Sequence, residues 1–209
     1  MACFTDLDTV KTTLGIALAD TSSDLLLQAI VDGVNASFLN HFYLTDCGPT
    51  PYTSKYDIVD AVGGFWLQQY PVISVDSVSV DGTLQAAASY YLDNRVGEFG
   101  HLRRKYGGSV AMAACWPVGP QAVEVTHTAG WTGGAPDAAL QRAATLLAVH
   151  DWNTGGKLGF ESERIGQYSY KLGSAASVGQ GFGGAGAGGW PAPVARALAS
   201  WQRPFAEGG

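Results

Sequence analysis

Of 209 residues, 46% are hydrophobic and only 14% charged. The chain can fill the core of one ordinary domain, yet it is short of the charge that usually covers a free surface, which suggests an assembly. A net charge of −6 and a pI near 5.0 do not fit a nucleic-acid reader with a basic face. No basic-then-apolar leader opens MACFTDLDTVK, and no apolar run approaches the ~18–20 residues of a membrane span.

Taken in order, Thr5 to Leu14 reads as a first helix (5–14). Thr5 and Asp8 have capping-box spacing, Leu7, Val10 and Leu14 share a face, and Gly15 suits the stop. Ser22 or Ser23 caps a second helix over 22–42. Leu26, Ile30, Val34 and Phe38 form its apolar stripe, with Leu27 and Val31 beside them. Gly33 weakens that helix by ~1 kcal/mol against Ala, which a close helix–helix contact would explain. TDCGPTPYT then ends the helix and leads into a β block over 56–131.

Within the block, Ile73 and Val75 alternate out of phase with Val78 and Val80, which predicts a bulge or change of face at Asp76-Ser77. Asp81-Gly82 signals a hairpin turn, and Tyr90 to Leu92 begin the return. Asn94 to Gly97 read as another turn. Arg103, Arg104 and Lys105, the one dense basic cluster, read as a solvated strand end or turn. Val123 and Val125 mark a last strand that closes on Ala129-Gly130-Trp131. A third helix (136–152) opens on Pro136, where a missing N–H costs nothing, and stops at Thr154-Gly155-Gly156. ESERIGQYSYKLG follows as a short strand or extended arm.

The fold class expected is α+β: a small helical bundle with an inserted antiparallel β block and a flexible C-terminal arm. The folded domain covers 1–172. A linker of Gly, Ala, Ser and Gln covers 173–189, too poor in apolar surface to offset the cost of ordering. The arm is 190–209. There Trp190, Val194, Leu198 and Trp201 recur on one helix face, and with Arg196, Arg203 and Phe205 they are the candidate docking residues. The competing reading is a terminal helix folded back on its own domain.

Chemistry is sparse. His41, His101, His127 and His150 have no partner at HxxxH or HExxH spacing, so no metal site of that type is expected. His127 reads as a strand residue. Cys3, Cys47 and Cys115 form no CxxC pair, and they are expected as reduced thiols. Gly179, Gly181 and Gly184 match GxGxxG without the strand and helix that the dinucleotide site needs. No catalytic, cofactor-binding or metal residues are assigned, no cofactor is expected, and the chain is not read as an enzyme.

The run LDTVKTTLGI, helix two, WLQQYPVISVDSVSVDG, YYLD, WPVGPQAVEVTHTAGW, PDAALQRAATLLAVHDWN and ESERIGQYSYKLG resembles the head–tail adaptor (connector) proteins of tailed bacteriophages. The pieces occur in that family's order over most of 5–172. The resemblance implies a structural virion protein, made in the host bacterial cytoplasm and placed in the neck between capsid and tail. It implies a ring, usually of twelve copies, joining the portal to the head-completion (stopper) or tail proteins. Genomic DNA would pass through without sequence-specific binding, and C-terminal arms would engage the portal. The alternatives are another neck component, a stopper or tail-completion protein, and a hydrolase with a site assembled from scattered residues.

Overall fold

The structure is a computed structural model, and it describes residues 3–93, 99–106, 109–155, 162–165, 168–171, 192–199 and 201. The expected Asn94–Gly97 turn, the linker 173–189, and Trp190, Arg203 and Phe205 lie outside the described residues. The fold is α+β. Among the described residues the chain divides into two units: one runs up to Phe38 and resumes over Asp137–Gln202, and the other covers Leu39–Pro136.

The first unit is helical. Helix α1 (Leu7–Leu14) is capped by Asp6, whose carboxylate accepts the Thr9 N–H at 2.7 Å. Thr5, the expected cap, is instead buried, its hydroxyl 2.9 Å from that of Thr145. Asp6 wins because a carboxylate one residue closer satisfies an orphan N–H and complements the helix dipole. Gly15 ends α1 in the left-handed region, with φ 74°, and the Ile16 N–H reaches back to Lys11 O at 2.9 Å.

Helix α2 (Asp24–His41) buries Leu27, Val31, Val34, Asn35 and Phe38. The stripe is therefore turned from the one expected: Leu26 is exposed. The reason is Asn35, a polar residue on the core face. Its side chain accepts the Phe4 and Thr5 N–H groups at 2.8 and 3.2 Å and donates to Thr5 O at 3.0 Å. A buried amide that meets three backbone groups carries no desolvation penalty. Gly33 faces open space. A Cβ added there would meet nothing within 4 Å, so the close contact expected at this position is not made among the described residues.

Helix α3 (Ala138–Gly155) follows Pro136 and runs three residues past the expected end at Trp152. Leu140, Ala143, Ala144, Leu147 and Ala148 are buried, and α1 packs on it. Small residues at this spacing let helices approach closely. After α3, strands β9 (Ser162–Ile165) and β10 (Tyr168–Lys171) pair as an antiparallel hairpin. The last element is helix α4 (Ala192–Ala199).

The second unit is built from two antiparallel sheets. The first has the order β1 (Thr50–Ile58), β8 (Gly119–Ala129), β3 (Val72–Val80), β4 (Thr83–Leu84). In the second, β6 (His101–Tyr106) lies between β2 (Gly64–Trp66) and β5 (Tyr90–Leu92) and also pairs with β7 (Ser109–Ala114). Ile58, Leu67, Val72, Val78, Tyr90, Leu102, Trp116, Val123 and Val125 share one core. The strands begin six residues before the expected Tyr56, at Thr50. Pro51 made that stretch read as loop, but β1 is an edge strand, where proline is tolerated. The bulge at Asp76-Ser77 is present as a register shift between Val75 and Ser77. Asp81 and Gly82 both take positive φ, 47° and 76°, and turn β3 into β4. The return through Tyr90–Leu92 joins β6 in the other sheet.

The closing Ala129-Gly130-Trp131 is a junction. Gly130 donates its N–H to Pro71 O at 2.9 Å, and Trp131 to Cys47 O at 2.8 Å. The Trp131 and Tyr70 rings meet Phe42 edge-on, with centroids 5.3 and 5.1 Å away. The Tyr70–Pro71 peptide is cis. Neither Cys3 nor Cys47 is a reduced thiol, whereas Cys115 is a free, exposed one, so the expectation of three reduced thiols does not hold.

Candidate functional site

Helix α4 carries the described part of the expected docking set. Val194 and Leu198 stand one turn apart, are 0% and 1% exposed, and seat the helix on α3. Arg196 on the opposite side is exposed. Trp201 is half-buried just past the helix, its N–H on Leu198 O at 2.9 Å. The structure thus separates the set by role. Two aliphatic residues hold the helix to its own unit, and Arg196 and one side of Trp201 reach solvent. The fold-back reading of the terminal helix describes Val194 and Leu198; the docking reading is left with Arg196, Trp201 and the residues outside the described range.

The basic cluster is not a solvated turn. It lies within β6, and each cation has a partner in its own unit. Arg103 Nη1 is 3.1 Å from Asp93 Oδ2. Arg104 lies over the Trp116 ring at 5.7 Å and donates to Cys115 O at 3.0 Å. Lys105 lies 5.5 Å over the Tyr91 ring. Cations held by a carboxylate and two aromatic faces contribute to packing more than to any long-range field.

No group of three His, Cys, Asp or Glu side chains among the described residues is placed to hold a metal ion. Four shallow clefts of about 360 to 460 Å³ open on the two units. The groups with displaced pKa values are His41, His101, His127, Asp20, Asp151 and Tyr90. None of them lines these four clefts. Among the described residues no helix is long and apolar enough to cross a membrane.

The histidines instead make the fold acid-sensitive. His127 is completely buried on the core face of the first sheet, opposite Tyr52 on β1 and Val75 on β3. Its ring nitrogens make no hydrogen bond of ordinary geometry. Burial lowers its pKa from 6.5, and the Asp76 carboxylate and the backbone of Gln69 and Val125 oppose this only in part. Burial lowers His41 and His101 too, the latter with help from Arg103. The fold favours the neutral ring in each case, so the unfolded chain takes up protons first as pH falls below 6.5. Stability present above that pH is lost on acidification through the lower native values. Calorimetric scans should show a midpoint that begins to fall below about pH 6.5, with His127→Leu flattening that limb. A midpoint insensitive to pH down to the carboxylate range would contradict the assignment.

Large apolar side chains are exposed at several places. Leu25, at the start of α2, is 91% exposed with Leu26 beside it, and Val59, Leu84 and Val118 project from the second unit.

No protein-family model and no curated protein matches the sequence. Solved structures do. A chain from "Neck of empty GTA particle computed with C6 symmetry" aligns with a TM-score of 0.54 at 16% identity, over 97% of this chain and 91% of that one. A chain from "Neck of native GTA particle computed with C12 symmetry" aligns with a TM-score of 0.49 at 15% identity, over 88% and 85%. A third, from "Virion of native gene transfer agent (GTA) particle", has a TM-score of 0.47 at 18% identity, over 77% and 81%. The fold of the chain is similar to that of a chain from the neck of a gene transfer agent particle.

Proposed function

We propose that the chain is a structural protein of a virion neck, of the head–tail adaptor type, and not an enzyme. Copies form a ring that joins the portal to the head-completion or tail proteins and surrounds the passing genome. The observation that carries this reading is the match of nearly the whole chain to a chain of a neck computed with six-fold symmetry. Such symmetry suits a ring of six or of twelve. The sequence resemblance points the same way, as does the low charge. A stopper or tail-completion protein would be β-dominated, whereas here one unit is mostly helical.

In this reading the acidic balance has a use. A net charge of −6, repeated around a channel, repels phosphates and lets DNA slide.

The terminal segment is the portal-docking element. Val194 and Leu198 fix α4 on α3, and Arg196, Trp201, Trp190, Arg203 and Phe205 meet the portal. Aromatic and arginine side chains are the groups that dominate interface energy. Truncating the chain after Leu172 would confound two effects, because it also strips two buried aliphatics from the helical unit, each worth about 1.5–3 kcal/mol. A variant at an exposed position separates them. Arg196→Glu should weaken co-sedimentation with portal rings by about tenfold or more, or roughly 1.4 kcal/mol at least, with the urea midpoint little changed. Binding equal to wild type would assign docking to another surface.

A further inference from the structure

The first sheet of the second unit has two unequal edges. On the β3 side the ladder with β8 is interrupted twice, between Val72 and Ser74 and between Val75 and Ser77. The end of β3 is covered by β4. Asp76 on this edge accepts hydrogen bonds from the Ser74 and Thr128 hydroxyls at 2.9 and 3.1 Å. Bulges, a short covering strand and a carboxylate are the devices by which an edge refuses another strand. On the other side, β1 runs in unbroken register with β8 from Thr50↔Ala129 to Tyr56↔Val123. Pro51 removes one donor near its start. Lys55 is engaged across the face of the sheet, 3.5 Å from Glu124. The outer row of backbone N–H and C=O groups along β1 has no neighbouring strand among the described residues.

The hairpin β9–β10 has the opposite deficit. Its strands are four residues long, and the two form a sheet by themselves. A lone two-stranded hairpin is marginal in water and becomes stable when a third strand or a packing surface is added.

The geometry points to strand addition between copies: the β9–β10 hairpin of one copy pairs with the β1 edge of the next, extending the first sheet across the boundary. Main-chain bonds supply the affinity, as in other strand-addition contacts. The contact uses two different patches, so it runs head to tail and closes a ring once the rotation per copy is right. A two-fold contact of one patch with itself cannot build a ring of six. The inference rests on the ring reading given above, and it adds which surfaces make the ring.

Mixed chains, each with one engineered cysteine, test it. In a Cys115→Ser background, Thr53→Cys is placed in one tagged chain and Ser169→Cys in another with a different tag. The two are mixed with portal rings and treated with a short bis-maleimide, while assembly is followed by mass photometry. The expected result is a cross-linked species carrying both tags, absent from either variant alone, and a ladder of oligomers when both cysteines sit in one chain. Rings without the mixed-tag species would overturn edge pairing and leave the ring standing. Cross-links confined within the doubly substituted chain would place the hairpin on its own β1 and overturn the proposal. Absence of any assembly would overturn the ring reading, and strand exchange between copies with it.

Discussion

Gly130→Ala should cost about 3 kcal/mol or more in urea unfolding, the sum of a strained backbone and two disturbed hydrogen bonds. Gly130 adopts φ +120°, a region that side chains rarely enter. A Cβ there would lie 2.3 Å from Gly48 O and 2.9 Å from Cys47 O, and backbone atoms cannot swing aside as a side chain could. The alanine must push Cys47–Gly48 away, and that segment receives the Trp131 N–H at 2.8 Å. The Gly130 N–H to Pro71 O, 2.9 Å, goes with it. Trp131 packs edge-on against Phe42, so its aromatic cluster loosens as well. Gly33→Ala is the control. Nothing lies within 4 Å of its Cβ, so the substitution should be neutral or stabilise the isolated chain by about 0.5–1 kcal/mol. If both alanines had equal effects, the close approach at Gly130 would be wrong.

Lys11→Met should cost about 3 kcal/mol, at the lower end for a broken buried pair. Lys11 is 1% exposed, and its ammonium donates to Leu18 O at 3.0 Å, Asp20 O at 2.6 Å and Asp24 Oδ1 at 2.7 Å. One buried charge thereby closes the loop between α1 and the start of α2. Methionine keeps much of the aliphatic volume but strands two carbonyls and a carboxylate, and unmet polar groups cost about 1–3 kcal/mol each. The Asp24 side chain is 29% exposed and can recover water, which limits the loss. For the same reason Asp24→Asn should cost less than Lys11→Met, on the order of 1 kcal/mol. Chemical denaturation of both variants at two salt concentrations checks the ordering. A larger loss for Asp24→Asn, or one that vanishes at high salt, would mean the ammonium is not buried as described.

Neither Gly130 nor Lys11 stands out in the sequence, and the reason is physical. What could be read was local. The left-handed stop at Gly15, the Asp81-Gly82 turn and the bulge before Ser77 follow from residue chemistry and alternation over a few positions. What could not be read depends on partners distant along the chain. Asn35 rotates the buried face of α2 because it meets Phe4 and Thr5, about thirty residues back. Pro51 sits inside a strand because that strand is an edge, a property of sheet order rather than of sequence. Arg103 to Lys105 look solvated until Asp93, Trp116 and Tyr91 are placed beside them. The terminal helix shows the same division. Its amphipathic spacing is plain, but spacing names an apolar face without saying what it meets. Val194 and Leu198 are buried on a helix that meets α3, and Arg196 on the other side is exposed.

The most direct test of the neck reading is electron microscopy of the purified protein mixed with portal rings, with class averages scored for rotational symmetry. The account predicts closed rings of six-fold or twelve-fold symmetry stacked coaxially on the portal. Monomers that leave the portal bare, at protein concentrations well above those of an assembling particle, would contradict it.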